Sequence, residues 1–178
     1  EIMSQKSGKW YYHYQPTDWK IGNYQLGTRD DFIRMCAKAK KYGIAVIVDV
    51  VPNHTTTHKD EISLDFIEAV GGMEKMYHKN SDHTIRSMAN HREVTSAMLG
   101  GLPDVNTENP LFQEYFMNYI NDLIDCGADG FRFDTAKHIA LPDDPVDPAS
   151  KENDFGPVFT GKKSVNGKSV KNADEFFI

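Results

Sequence analysis

Arg132 and Asp134 stand two apart in the run Gly130-Phe131-Arg132-Phe133-Asp134. On an extended strand that spacing puts both side chains on one face. A guanidinium beside a carboxylate favours its ionised form, and an ionised carboxylate can attack an electrophilic carbon. Where that carbon is anomeric, one carboxylate attacks while a second, kept protonated, gives its proton to the leaving oxygen. The spacing by itself fits a structural ion pair equally well. A further carboxylate, Asp49, lies near the end of Ile44-Ala45-Val46-Ile47-Val48-Asp49-Val50. Alternation places it with Ala45 and Ile47, opposite Val46, Val48 and Val50. The near-continuous apolar run predicts a strand buried on both faces, and an acid on such a face needs a reason. His54 and His58 are four apart, but Pro52 and the threonines between them oppose a helix and no Glu follows the first His. Zinc-protease chemistry is therefore excluded.

These side chains need elements to hold them. Thr28 and Asp31 form a capping-box-like start, followed by Phe32, Met35, Cys36 and Ala39 at helical spacing. Asp30 and Asp31 open this helix, Lys38, Lys40 and Lys41 close it, and Gly43 stands where a left-handed terminating residue is wanted. The strand 44–50 follows. Asn109-Pro110 opens a second helix with Phe112, Phe116, Tyr119, Ile120 and Leu123 on one face, Gly127 ends it, and a second strand runs from Ala128 to Asp134. Two helix–strand units that each end in charge indicate a parallel α/β fold. Charges at the C-terminal ends of strands, without a glycine-rich phosphate loop, favour a (β/α)8 barrel over an open doubly wound sheet.

The roughly fifty residues between the units, 54–106, are too many for a plain loop and are expected to form a small inserted lobe. The stretch from Leu141 to Lys171, rich in Pro, Gly, Asp and Lys, reads as a long, partly mobile surface loop. The chain thus divides into barrel residues 1–53, an insertion over 54–106 and further barrel residues 107–178.

With 178 residues, 39% of them hydrophobic, the chain is long enough for one core. No apolar run reaches the roughly 20 residues of a membrane span. A net charge of -6 disfavours nucleic acid and anionic membrane as partners, whereas a neutral substrate is compatible with it. Aromatic residues cluster in Trp10-Tyr11-Tyr12-His13-Tyr14, which supplies either flat faces for sugar rings or ordinary core packing. Cys36 and Cys126 fall in helical apolar patterns and read as buried thiols, with a disulfide between them left open.

The wording of three segments adds specificity. Asp49-Val50-Val51-Pro52-Asn53-His54, Leu102-Pro103-Asp104-Val105-Asn106 and Gly130-Phe131-Arg132-Phe133-Asp134-Thr135-Ala136-Lys137-His138 resemble, in order, signature regions of the α-amylase family of glycoside hydrolases. Tyr14-Gln15-Pro16, Leu26-Gly27-Thr28 and Leu141-Pro142-Asp143-Asp144 make the likeness nearest to bacterial enzymes of the Bacillus subtilis type. The resemblance implies that the two strands are about the third and fourth of a (β/α)8 TIM barrel and that 54–106 is the family's domain B. It implies endo-acting, retaining hydrolysis of α-1,4-glucans such as starch by a secreted, monomeric enzyme. Asp134 would be the nucleophile and Arg132 would hold it ionised. His54 would hydrogen-bond the sugar at the cleavage point and Tyr14 would stack on it. Lys137 and His138 would line sites for the leaving chain, and Asp49 would be a buried orienting acid. A calcium ion would be held by the Asn53 side chain, the Thr95 carbonyl, the Asp104 carboxylate and the His138 carbonyl. A glucan transferase or a non-catalytic carbohydrate-binding relative are the other outcomes the same fold allows.

The family's proton donor, a Glu ending the fifth strand, has no counterpart in the chain, nor has the aspartate that follows the seventh. Asp174-Glu175-Phe176-Phe177-Ile178 resembles the start of that fifth strand, with Glu175 too early to be the acid. One copy of the chain cannot close an eight-stranded barrel, so a partial sequence, inactive alone and poorly soluble through its open strand edges, is expected.

Overall fold

A computed structural model describes residues 2–5, 8–148 and 150–175. A short antiparallel pair, β1 (Ile2–Met3) and β2 (Pro16–Asp18), flanks a 3-10 turn over Trp10–Tyr14. Helix α1 (Arg29–Lys41) begins as its sequence dictates: Thr28 Oγ1 accepts from the Asp31 amide, and the Asp31 carboxylate accepts from the Thr28 amide at 2.8 Å. Gly43 terminates it at φ 69°, a conformation open to glycine at no steric cost.

β3 (Ile47–Val50) and β4 (Gly130–Phe133) pair in parallel, with Ile47 opposite Gly130 and Asp49 opposite Arg132. Both strands are shorter than the expected 44–50 and 128–134. The ladder is prolonged by backbone bonds from Asp129 to the Val46 carbonyl (2.9 Å) and from Asp134 to the Val50 carbonyl (2.8 Å). Burial on both faces does not hold. Val50 is fully buried, whereas Ile47 is 48% exposed and Asp49 lies open beside it. The stripe of α1 is likewise half covered: Cys36 is buried and Met35 is exposed.

The core is built on α5 (Pro110–Asp125). Asn109 caps it by accepting from the Leu111 amide at 3.0 Å, and its Nδ2 donates to the carbonyls of Val70 and Lys75. Phe112, Phe116, Tyr119, Ile120 and Leu123 face inward as their spacing predicts. Phe116 lies 5.0 Å from the ring of Phe159, and Trp19 sits edge-on to Phe66 at 4.7 Å. Each such buried ring contributes on the order of 2–3 kcal/mol. Gly127, at φ 104°, is where α1 meets the end of α5: a Cβ there would stand 3.1 Å from Cys36 Cβ. Cys36 and Cys126 are free, buried thiols, and burial pushes both up.

Within 54–106 the helices are short: α2 (Leu64–Ala69), α3 (Met73–Met76) and α4 (His91–Val94). Ile62, Phe66, Val70, Met76 and Val105 from this segment join the same core as α5. The region 141–171 is not a plain surface loop. It contains α6 (Phe155–Phe159), and Phe155, Val158, Phe159, Val165 and Val170 are buried. The spacing of Phe155, Val158 and Phe159 carries a helical signal that the surrounding Pro, Gly and Lys residues obscure. Of the expected fifth strand, Ala173–Glu175 forms a 3-10 turn, and residues 176–178 lie outside the described residues.

Candidate active site

Pairing Asp49 with Arg132 across the ladder, and spacing Arg132 and Asp134 along β4, brings all three side chains together at the strand ends. Arg132 Nη1 donates to both Asp49 oxygens, at 2.9 and 2.8 Å, and lies 2.9 Å from Asp134 Oδ1. Hydrogen bonding and charge from Asp49, then the charge of Asp134, push the guanidinium up. The apolar run around Asp49 predicts a buried acid, but its side chain is 39% exposed and that of Asp134 17%. Tyr14 Oη approaches Asp49 Oδ2 at 3.5 Å. The backbone turns sharply straight after Asp134: Thr135 has φ 55° and donates its hydroxyl to the Asp134 carbonyl at 2.7 Å. A β-branched residue in the left-handed region is strained and found mostly at functional turns.

The 3-10 turn Ala136–His138 then separates two neighbours: Lys137 is exposed and His138 buried. His138 Nδ1 donates to the Val94 carbonyl at 2.8 Å, which sets the Thr95 backbone beside this turn. His54 is buried and donates from Nε2 to the Tyr14 carbonyl at 2.9 Å, leaving Nδ1 without a protein partner. Burial pushes His54 down, against the opposing effects of that carbonyl and of Asp134. The aromatic run is not core: Trp10 is 73% exposed, and Tyr11 and Tyr14 are partly open. Two cavities adjoin the strands. One of about 460 Å³ touches Tyr14, Asp49 and Val48. The other, of about 390 Å³, is walled by Phe131, Phe133, Ile139 and Phe155. A larger cavity, about 610 Å³, lies away from these carboxylates, near α5.

A second polar cluster is wholly enclosed. Asn53 Nδ2 donates to Asp104 Oδ1 at 3.1 Å, and His78 Nδ1 bonds Asp104 Oδ2 at 2.6 Å. The other imidazole nitrogen of His78 bonds Glu108 Oε2. Thr107 donates its hydroxyl to the remaining Glu108 oxygen, at 2.9 Å. Burial alone would push His78 down, but the two carboxylates together hold it well above the usual histidine value. Burial pushes Asp104 up, and the charge of Glu108 adds to that. The cluster thus sets one imidazole between two buried carboxylates. A carboxylate and a side-chain amide are donor types that a hard divalent cation accepts, and here Asn53 turns its Nδ2 toward Asp104 Oδ1. Among the described residues no three His, Cys, Asp or Glu side chains gather in metal-holding fashion. The expected donor set contains one carboxylate, one amide and two backbone carbonyls, so it would form no such group. Sequence reasoning missed His78 and Glu108. Their partners lie 26 and 30 residues away, and no local pattern links them.

A family model described as the catalytic domain of alpha-amylase matches residues 5–173. The alpha-amylase of Butyrivibrio fibrisolvens is 55% identical over 139 residues, which are 78% of this chain and 14% of that protein. The cyclomaltodextrin glucanotransferase of Geobacillus stearothermophilus is 32% identical over 152 residues, covering 78% of this chain and 21% of that protein. Among solved structures, an alpha-amylase from Anoxybacillus superposes with a TM-score of 0.62 at 32% identity, over 75% of this chain and 28% of that one. The chain therefore spans under a third of the length of each of these relatives. With its parallel β3–β4 pair, flanking helices and three ordered signature segments, the chain belongs to the alpha-amylase catalytic-domain family of glycoside hydrolases and carries a portion of its (β/α)8 barrel.

Proposed function

We propose that residues 1–178 carry the nucleophilic half of a retaining, endo-acting α-1,4-glucan hydrolase. The observation that carries this reading is the single guanidinium of Arg132 joining Asp49 to Asp134 at the strand ends, where barrel enzymes place their reacting groups. Asp134 attacks the anomeric carbon and forms a glycosyl ester as the bond to the leaving oxygen breaks. Water then cleaves the ester. Arg132 orients the attacking carboxylate and Asp49 anchors Arg132. Tyr14 and the exposed Trp10 and Tyr11 offer flat faces to glucose rings, Lys137 and His138 border the path of the leaving chain, and His54 contacts the sugar at the cleavage point. The acid that protonates the leaving oxygen is not supplied by these residues, so the segment alone is inactive. The proposed substrate is a polymer, which supports secretion, and the enzyme is proposed to be monomeric. No described helix is long and apolar enough to cross a membrane.

Residues 54–106 are proposed to act as domain B. Calcium is proposed to bind between this segment and the barrel through the Asn53 and Asp104 side chains and the carbonyls of Thr95 and His138. Bound there, it would tie 95 and 104 to 53 and 138. The match to a cyclomaltodextrin glucanotransferase supports a second reading, in which the glycosyl ester on Asp134 passes to a sugar hydroxyl.

The test is to treat the protein that carries this segment with a fluorinated glucosyl substrate whose ester hydrolyses slowly, and to sequence the labelled peptide by mass spectrometry. Label on Asp134, together with a loss on the order of 10⁴-fold in starch cleavage for Asp134→Asn, supports the assignment. Label on any other residue overturns it. Cyclic or elongated products would select transfer over hydrolysis.

A further inference from the structure

We infer that His78 and Glu108 are positioning residues for the calcium site, acting on the metal only through Asp104. The inference rests on the calcium binding proposed above.

Asp104 is 1% exposed, and each of its two oxygens has a different occupant. His78 Nδ1 bonds Oδ2 at 2.6 Å, while Oδ1 accepts from Asn53 Nδ2 at 3.1 Å. The imidazole thus occupies Oδ2 and fixes the carboxylate plane, so that a cation would use the second lone pair of Oδ1, alongside the Asn53 N–H. His78 cannot rotate, because its opposite nitrogen is tied to Glu108 Oε2. Glu108 is in turn held by Thr107, whose carbonyl accepts from Gln113 Nε2 at 3.0 Å. Gln113 belongs to α5. The Asp104 backbone is set independently: its amide donates to Ser81 Oγ at 2.7 Å, and its carbonyl accepts from the His78 amide at 3.2 Å. The chain Gln113–Thr107–Glu108–His78–Asp104 therefore carries the position of the main core helix to the proposed ligand. Hydrogen-bonded partners behind a ligand of this kind typically change metal affinity about 10–100-fold when removed.

The experiment measures calcium dissociation constants by chelator competition, at a temperature where every variant is folded by circular dichroism. It uses the protein that carries this segment, as wild type, His78→Ala and Glu108→Gln. Melting temperatures are read with and without calcium. The expected result is one calcium per wild-type molecule, affinity weakened about 10–100-fold by His78→Ala and several-fold by Glu108→Gln, and a smaller calcium-induced rise in melting temperature in both. Glu108→Gln keeps the side-chain volume and decides the matter where His78→Ala fails to fold. Lower melting temperatures with an unchanged calcium constant would show a purely structural role and overturn the inference alone. Absence of calcium binding in the wild type would overturn the calcium assignment and this inference with it.

Discussion

The two charged clusters use the same kinds of side chain in opposite surroundings. At the strand ends, Arg132 is 57% exposed and Asp49 39%. In the buried cluster the side chains of His78, Asp104 and Glu108 are exposed by 3%, 1% and 2%. An exposed ion pair contributes at most about 1 kcal/mol, since water competes for both partners and salt screens them. A buried one that loses a partner strands a charge in a medium that cannot solvate it. The open cluster is therefore free to change partners when a substrate arrives, and the enclosed one is committed to holding the chain together. Substitutions in the first should be read in activity, and in the second in stability.

The largest expected separation comes from Arg132→Ala. Starch cleavage by the protein that carries this segment falls on the order of 10²–10³-fold, as for loss of a preorganised electrostatic partner. Its melting temperature moves by only a few degrees. A large melting shift with retained activity would erase the distinction. Glu108→Ala should show the reverse emphasis, a loss of about 3–5 kcal/mol read from the urea midpoint; a change under about 1 kcal/mol would mean that the enclosed cluster is solvated after all. Asn109→Ala tests the same enclosed side one step away. It removes the cap of α5 and the bonds to Val70 and Lys75, and about 1–2 kcal/mol should be lost in the same titration.

The smallest effect is assigned to Asp31→Asn, on the exposed start of α1. The Thr28 amide and hydroxyl hold the Asp31 carboxyl below the usual value. Its contribution is therefore present above about pH 4 and lost as pH falls through the lower folded value. The melting-temperature gap between wild type and variant should narrow on acidification, and a gap that persists at low pH would contradict the cap.

The start of α1 at Thr28, the register of α5 from Asn109 to Leu123 and the shared face of Arg132 and Asp134 were all legible in the sequence. Each depends on contacts within a turn or two of chain, which residue spacing encodes directly. The family likeness likewise rests on short contiguous segments. The burial of Asp49 and Ile47 could not be read that way, since it depends on which elements lie across the strand face. The aromatic run at Trp10–Tyr14 was equally undecided between core and surface until the fold exposed it. α6 carried a pattern, but one hidden among loop-forming residues.

The sequence by itself determined which residues could react and which helices would form, because side-chain chemistry and helical periodicity are local properties. Only the tertiary structure decided which charges remain in water and which are enclosed, and it alone joined His78 to Asp104 and Glu108. Solvation and long-range hydrogen bonds are set by what the rest of the chain packs against, and no spacing within a segment contains that information.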